Sequence, residues 1–157
     1  MRGECRAPWF EKLVRSMLLA NKAGAEIFNE AGVMACTDVT GFGLAGHLLE
    51  MLDASGVSAR LVVRTVPVYE GFQEVVSRGI VSSLHRDNAK TSCRVSGAGN
   101  LPEWLFDPQT SGGLLGAVKV ELVEATLRRL REAGCAEAAV IGEVEPVGEG
   151  APMVYVA

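Results

Sequence analysis

The 157-residue chain has no surplus of basic residues: 15 Lys and Arg stand against 19 Asp and Glu, a formal net charge of −4. A composition of that sign supplies no basic surface for nucleic acid, and no RNA-reading stripe interrupts it. No run of about eighteen apolar residues occurs, so no membrane span is expected. The N-terminus carries Arg2 and Glu4 and lacks the apolar stretch of a signal peptide. The four cysteines, Cys5, Cys36, Cys93 and Cys135, are scattered. They form no C-x-x-C pair and no Cys/His group with zinc spacing. Together these absences predict a cytoplasmic protein with free thiols, with Cys36 and Cys135 in the core. Internal repeats and low-complexity tracts are also missing. So are the Lys and spacing of a Walker loop and the third glycine of a dinucleotide fingerprint.

What is present is enough for one domain with a real hydrophobic core. The most informative stretch runs from Ala35 to Met51. It reads as a short strand at Val33 to Cys36, a turn with an acid, two threonines and two glycines, and a helix from Leu44 to Ala54. Asp38 then lies at a strand end just before a helix N-terminus, where open α/β sheets bind ligands. Gly41 and Gly43 allow close backbone approach, and the helix start attracts anions. An acid there would repel a phosphate unless a cation lay between, so the turn reads as half of a Mg2+–phosphate site. Asp, Thr and Gly before a helix are equally ordinary turn and N-cap residues, and spacing by itself leaves that reading open. A second candidate loop, Asp107 to Gly113, carries Thr110 and Ser111, whose hydroxyls can donate to an anion, and Gly112 and Gly113, which permit close approach. A proline-containing turn with satisfied side chains is the plain alternative.

Thr37-Asp38-Val39-Thr40-Gly41-Phe42-Gly43-Leu44 with Gly46-His47-Leu48, and Asp107-Pro108-Gln109-Thr110-Ser111-Gly112-Gly113-Leu114-Leu115, resemble the two C-terminal signatures of the selenophosphate synthetase (selenide, water dikinase) family. The resemblance runs from about Phe10 to the end and concerns the C-terminal domain only. It implies a domain over residues 10–157 preceded by a linker remnant at 1–9, with the family's N-terminal ATP-binding half absent. The family makes selenophosphate, AMP and phosphate from selenide, ATP and water. Carried over, Asp38 would be a Mg2+ ligand and Thr40, Gly41 and Gly43 would border the phosphates. Thr110, Ser111, Gly112 and Gly113 would form a second wall. No catalytic nucleophile is expected in this chain, since Cys5 lacks the family's glycine-rich setting. Expected partners are the N-terminal half, ATP and selenide; the intact enzyme would be a homodimer, the chain alone an inactive monomer. The rivals are another ATP-using member of the aminoimidazole ribonucleotide synthetase superfamily and a non-catalytic binding module.

The remaining periodicity predicts a helix from Trp9 to Ala31 softened at Gly24, a strand at Ala59 to Val66, and a short helix at Tyr69 to Ser77. It also predicts an irregular segment from Ile80 to Asn100 with a short strand near Cys93 to Val95. In that segment His85, Arg86 and Lys90 are expected in a solvated loop. Leu101 to Phe106 should turn Trp104 inward, Leu114 to Val120 should be a strand, and Glu121 to Ala133 an amphipathic helix. Ala138 to Val144 and Met153 to Val156 read as a closing antiparallel hairpin. The interspersed helices and strands predict an α/β (α+β) fold, a mixed sheet covered by helices. The resemblance sharpens this to the layered C-terminal domain of the aminoimidazole ribonucleotide synthetase type, partly ferredoxin-like.

Overall fold

The computed structural model describes residues 5–97, 101–148 and 153–157. Helices α1 (Ala7–Met17) and α2 (Lys22–Glu30) precede strand β1 (Cys36–Asp38) and helix α3 (Gly43–Ser55). Then come β2 (Val57–Leu61), α4 (Phe72–Ser77), the single turn α5 (His85–Asn88) and β3 (Val95–Gly97). Strand β4 (Leu114–Gly116), α6 (Val123–Glu132), β5 (Gly142–Pro146) and β6 (Val154–Val156) complete the chain. Short 3-10 turns span Val63–Thr65, Ala89–Arg94, Glu103–Phe106 and Val120–Leu122. Among the described residues no helix is long and apolar enough to cross a membrane.

The expected mixed sheet is present as a four-stranded sheet of order β3-β6-β2-β5, beside a two-stranded β1-β4 ribbon. Strand β2 pairs antiparallel with β5 and parallel with β6. The expected closing hairpin is therefore wrong. β2 lies between its two strands, with its Ala59 and Leu61 buried in one core with Val154 and Val156 of β6.

Helix α3 is the centre of the larger core. Ala45, Leu48, Leu49 and Leu52 follow i, i+3, i+4, i+7 spacing and are buried. They pack with Ala59 and Leu61 of β2, Val95, Val154, Val156, and Leu105 and Phe106 of the 103–106 turn. Fully burying a side chain such as Leu52, Leu61 or Leu105 contributes about 1.5–3 kcal/mol. Gly56, in the left-handed conformation at φ 65°, ends the helix as its C-terminal cap. A smaller core joins Ile27 and Phe28 of α2 to Leu130 of α6, with Leu114 against it. Gly24 lets α2 approach that β4 leucine: a Cβ there would sit 3.2 Å from Leu114 Cδ1.

Several other expectations move. The single helix over 9–31 is two helices. The break at 18–21 leaves Leu18 80% exposed, so its apolar character continues the helical pattern without a buried face to hold it. The first helix begins at Ala7, with Pro8 in its first turn, so Ala7 to Trp9 are helical rather than linker; residues 1–4 lie outside the described set. β1 lies later than expected, because Cys36, Thr37 and Asp38 pair with Gly116, Leu115 and Leu114. The strand expected over 114–120 ends at Gly116, where that pairing stops. The segment expected to be irregular winds into α5 and a 3-10 turn; its last three residues, 98–100, lie outside the described set.

The two motif loops are closed on each other by glycines. Gly43 has φ +70°, and a Cβ there would stand 2.9 Å from the Asp107 carbonyl oxygen. A Cβ on Gly112 would collide with the Val39 carbonyl, whereas one on Gly113 would meet open space. Gly112→Ala is therefore expected to cost about 2–4 kcal/mol and the adjacent Gly113→Ala less than about 1 kcal/mol, by chemical denaturation. Equal costs would show that the close approach at Gly112 does not hold the loops.

Candidate functional site

Asp38 ends β1, and the chain then turns through Val39 to Phe42 into α3. The second loop, 107–113, leads into β4, the antiparallel partner of β1. Pairing these two strands brings together motifs about seventy residues apart. The backbone completes the join. Val39 N–H donates to the Gly113 carbonyl (2.9 Å), and the Thr40 carbonyl accepts from the N–H groups of Gln109 (2.9 Å) and Gly43 (3.1 Å).

Two asparagines not singled out from the sequence clamp this arrangement. Asn88 Nδ2 donates to the Gly41 carbonyl (2.9 Å) in the first loop and to the Phe106 carbonyl (3.0 Å) just before the second. Asn21 Nδ2 donates to the Gly112 carbonyl at 2.9 Å. Asn88 lies in the stretch read as irregular and Asn21 within one read as continuous helix, so only their type, an amide suited to bridging backbone carbonyls, marks them. The Gln109 side chain donates to the carbonyl (3.2 Å) and Oδ2 (3.1 Å) of Asp107.

The glycines divide by use. Gly43 and Gly112 accommodate the chain's own backbone, so the close approach expected at Gly43 is to residues 105–107. Gly41 and Gly113 face open space. Thr110, Ser111 and Gly113 are exposed at the rim, and Ser111 holds a left-handed φ of 54°, rare for a residue with a side chain. Asp38 is exposed as well, and its carboxylate makes no hydrogen bond or ion pair among the described residues. No group of three or more His, Cys, Asp or Glu side chains converges to hold a metal among those residues. A hard oxygen donor left free suits a hydrated cation, but this chain supplies only one such carboxylate.

Histidines occupy the interior of the site. His47, 7% exposed, places Nε2 3.1 Å from Thr40 Oγ1 and packs against the Phe42 ring. His85 is buried, not solvated as expected, because the single turn α5 points it inward, where it bears on the Asp107 carboxyl; Lys90 is paired with Asp87 at 2.7 Å. Burial pushes the Asp107 carboxyl up, opposed by His85 and by the Gln109 hydrogen bond. Cys36 is exposed rather than in the core: it shares the outward face of β1 with Asp38, two residues on. Partial shielding and then the Asp38 carboxylate push its thiol up. A cavity of about 590 Å3 lined by Val63, Phe72, Val76 and Trp104 contains no residue of either motif.

Comparison with known proteins identifies the family and the fold. Residues 10–154 match the family model for AIR synthase related protein, C-terminal domain. The chain is 40% identical over 144 residues to a selenide, water dikinase of Clostridioides difficile (strain 630), covering 88% of this chain and 41% of that one. It is 40% identical over 159 residues to a selenide, water dikinase of Geobacter sp. (strain M21), covering 99% and 46%. Its fold matches the hydrogenase maturation protein HypE in complex with ATP, with TM-score 0.59 and 25% identity over 87% of this chain and 36% of that one. The chain thus spans less than half the length of these curated relatives.

Two measurements probe the local electrostatics. A thiol held up carries less thiolate at neutral pH, and thiolate is the reactive form. Asp38→Asn should therefore speed iodoacetamide labelling of Cys36 about threefold at pH 8; an unchanged rate would separate the two side chains. For Asp107, a raised carboxyl means that ionisation costs the folded state, and the cost vanishes as pH falls below the carboxylate range. Asp107→Asn keeps an acceptor for Gln109, so it should melt higher than wild type at pH 7.5, with the gap closing toward pH 4. A lower melting temperature at pH 7.5 would contradict the burial cost.

Proposed function

Since the chain belongs to the family of the AIR synthase related protein C-terminal domain, we propose that it is the C-terminal half of a selenide, water dikinase, forming one wall of a split phosphoryl-transfer site. The observation that carries this reading is the join between the two motif loops: one carbonyl, Thr40, accepts an amide from each side. The join leaves Asp38, Thr110, Ser111 and Gly113 exposed together at its rim.

The reaction consumes selenide, ATP and water and yields selenophosphate, AMP and phosphate. Two phosphoryl linkages break, so negative charge accumulates and must be neutralised and held in line. Mg2+, when bound, would supply that neutralisation. Asp38 would be its ligand from this chain, the others coming from the nucleotide phosphates and the N-terminal half. Thr40, Gly41 and Gly43 would border the phosphates on one side, Thr40 across the cation's bound water. Thr110, Ser111, Gly112 and Gly113 would border them on the other, with Gly41 and Gly113 offering open backbone. The stiffness of this wall comes from Asn88, Asn21 and the glycine contacts, which hold the loops without needing ligand. HypE in complex with ATP shares the fold, which supports ATP as the nucleotide here. The higher identity to selenide, water dikinases favours selenide as the acceptor. Cytoplasmic location and a dimeric intact enzyme belong to the same reading.

In a two-domain enzyme carrying this chain, Asp38→Asn should lower selenide-dependent AMP formation by about 100-fold or more. The melting temperature should barely move, because the side chain is exposed. Near-normal turnover with unchanged Mg2+ dependence would remove Asp38 from the mechanism.

A further inference from the structure

We propose that His47, set by Glu50, holds the Thr40 hydroxyl as a hydrogen-bond acceptor toward the cleft, so that Thr40 takes a cation's bound water rather than a phosphate oxygen. The inference rests on the proposed site and assigns a polarity within it.

The His47 imidazole has two different neighbours. His47 Nε2 lies 3.1 Å from Thr40 Oγ1. Its Nδ1 lies 3.0 Å from Glu50 Oε2, one turn along α3. The Nδ1 position is buried, and the carboxylate stands off the hydrogen-bond direction. Distance nonetheless decides the tautomer. A bare Nδ1 lone pair 3.0 Å from a carboxylate oxygen is repelled, whereas an N–H there is attracted. Glu50 has an exposed, rotatable side chain that can improve the alignment. The proton therefore sits on Nδ1, and Nε2 is left as an acceptor.

An acceptor at Nε2 requires Thr40 to donate its hydroxyl hydrogen inward. What Thr40 then offers the cleft is lone pairs alone. A phosphate oxygen, itself only an acceptor, would be repelled; a metal-bound water, a strong donor, is attracted. Thr40 lies two residues after Asp38, so the turn presents two oxygen acceptors in sequence, one charged and one neutral. The opposite tautomer would reverse the assignment, freeing the Thr40 hydrogen for phosphate. His47 and Glu50 are thus positioning residues, acting through Thr40.

Long-range 1H–15N spectra of the chain read the tautomer directly: His47 should show a protonated Nδ1 and an unprotonated Nε2. Mn2+ added with ATP and the N-terminal half of a related selenide, water dikinase should selectively broaden the amide signals of Asp38 and Thr40. Glu50→Ala and Thr40→Val should each raise the Mn2+ concentration for half-broadening about tenfold, while Thr40→Ser retains the wild-type value. A protonated Nε2, no selective broadening, or a Glu50→Ala response equal to wild type would each overturn the proposal. Pyrophosphate perturbing Thr40 in metal-free protein, and failing to do so in Thr40→Val, would overturn it too. These readouts need no turnover, so a failure of the selenide-dependent reaction would be seen separately.

Discussion

Backbone lies directly against backbone where residues 39–43 meet residues 105–113, and the remainder of the structure depends on that contact. It exists because Gly43 and Gly112 carry no Cβ where one would strike a carbonyl. It is held by two backbone amide hydrogen bonds, Val39 to Gly113 and Gln109 to Thr40, and by the double-donating Asn88 amide. Each such bond contributes only about 0.5–1.5 kcal/mol net. Their effect is geometric: partly buried carbonyls satisfied from the opposite loop leave little freedom for either loop to drift.

The two cores serve this contact from opposite sides. Helix α3 anchors the first loop because its apolar stripe is sunk between the four-stranded sheet and the 103–106 turn. The second loop is pulled into place by Leu105 and Phe106 before it and by β4 after it, whose Leu114 packs on the smaller core. Surface ion pairs such as Arg94–Asp53 and Arg129–Glu30 join elements around the periphery. Exposed pairs contribute at most about 1 kcal/mol each, so burial and backbone closure dominate.

Legibility in the sequence followed the range of the interactions. Helix α3 was readable because Leu44, Leu48, Met51 and Leu52 carry a helical period and Gly56 its stop, all local signals, although the face it buries is centred on Ala45, Leu48, Leu49 and Leu52. Asp38 and the two glycine loops were readable as motifs. The juxtaposition of those loops was not, because it is made by carbonyls and amides that every residue possesses. The false hairpin has the same origin: the strand signals read at 138–144 and 153–156 do not name partners, and β2 pairs with both β5 and β6. Cys36 was misplaced because an apolar local setting does not reveal which face of a three-residue strand is covered. His85 was misplaced because polar neighbours hid a single helical turn that buries it.

The central claim is that this chain is one wall of a site completed elsewhere. The most direct test is selenide-dependent AMP formation from Mg-ATP, measured for this chain alone and after adding the separately expressed N-terminal half of a related selenide, water dikinase. The account predicts turnover only in the mixture. Turnover by this chain alone would contradict it and would place the reacting groups among residues here treated as wall.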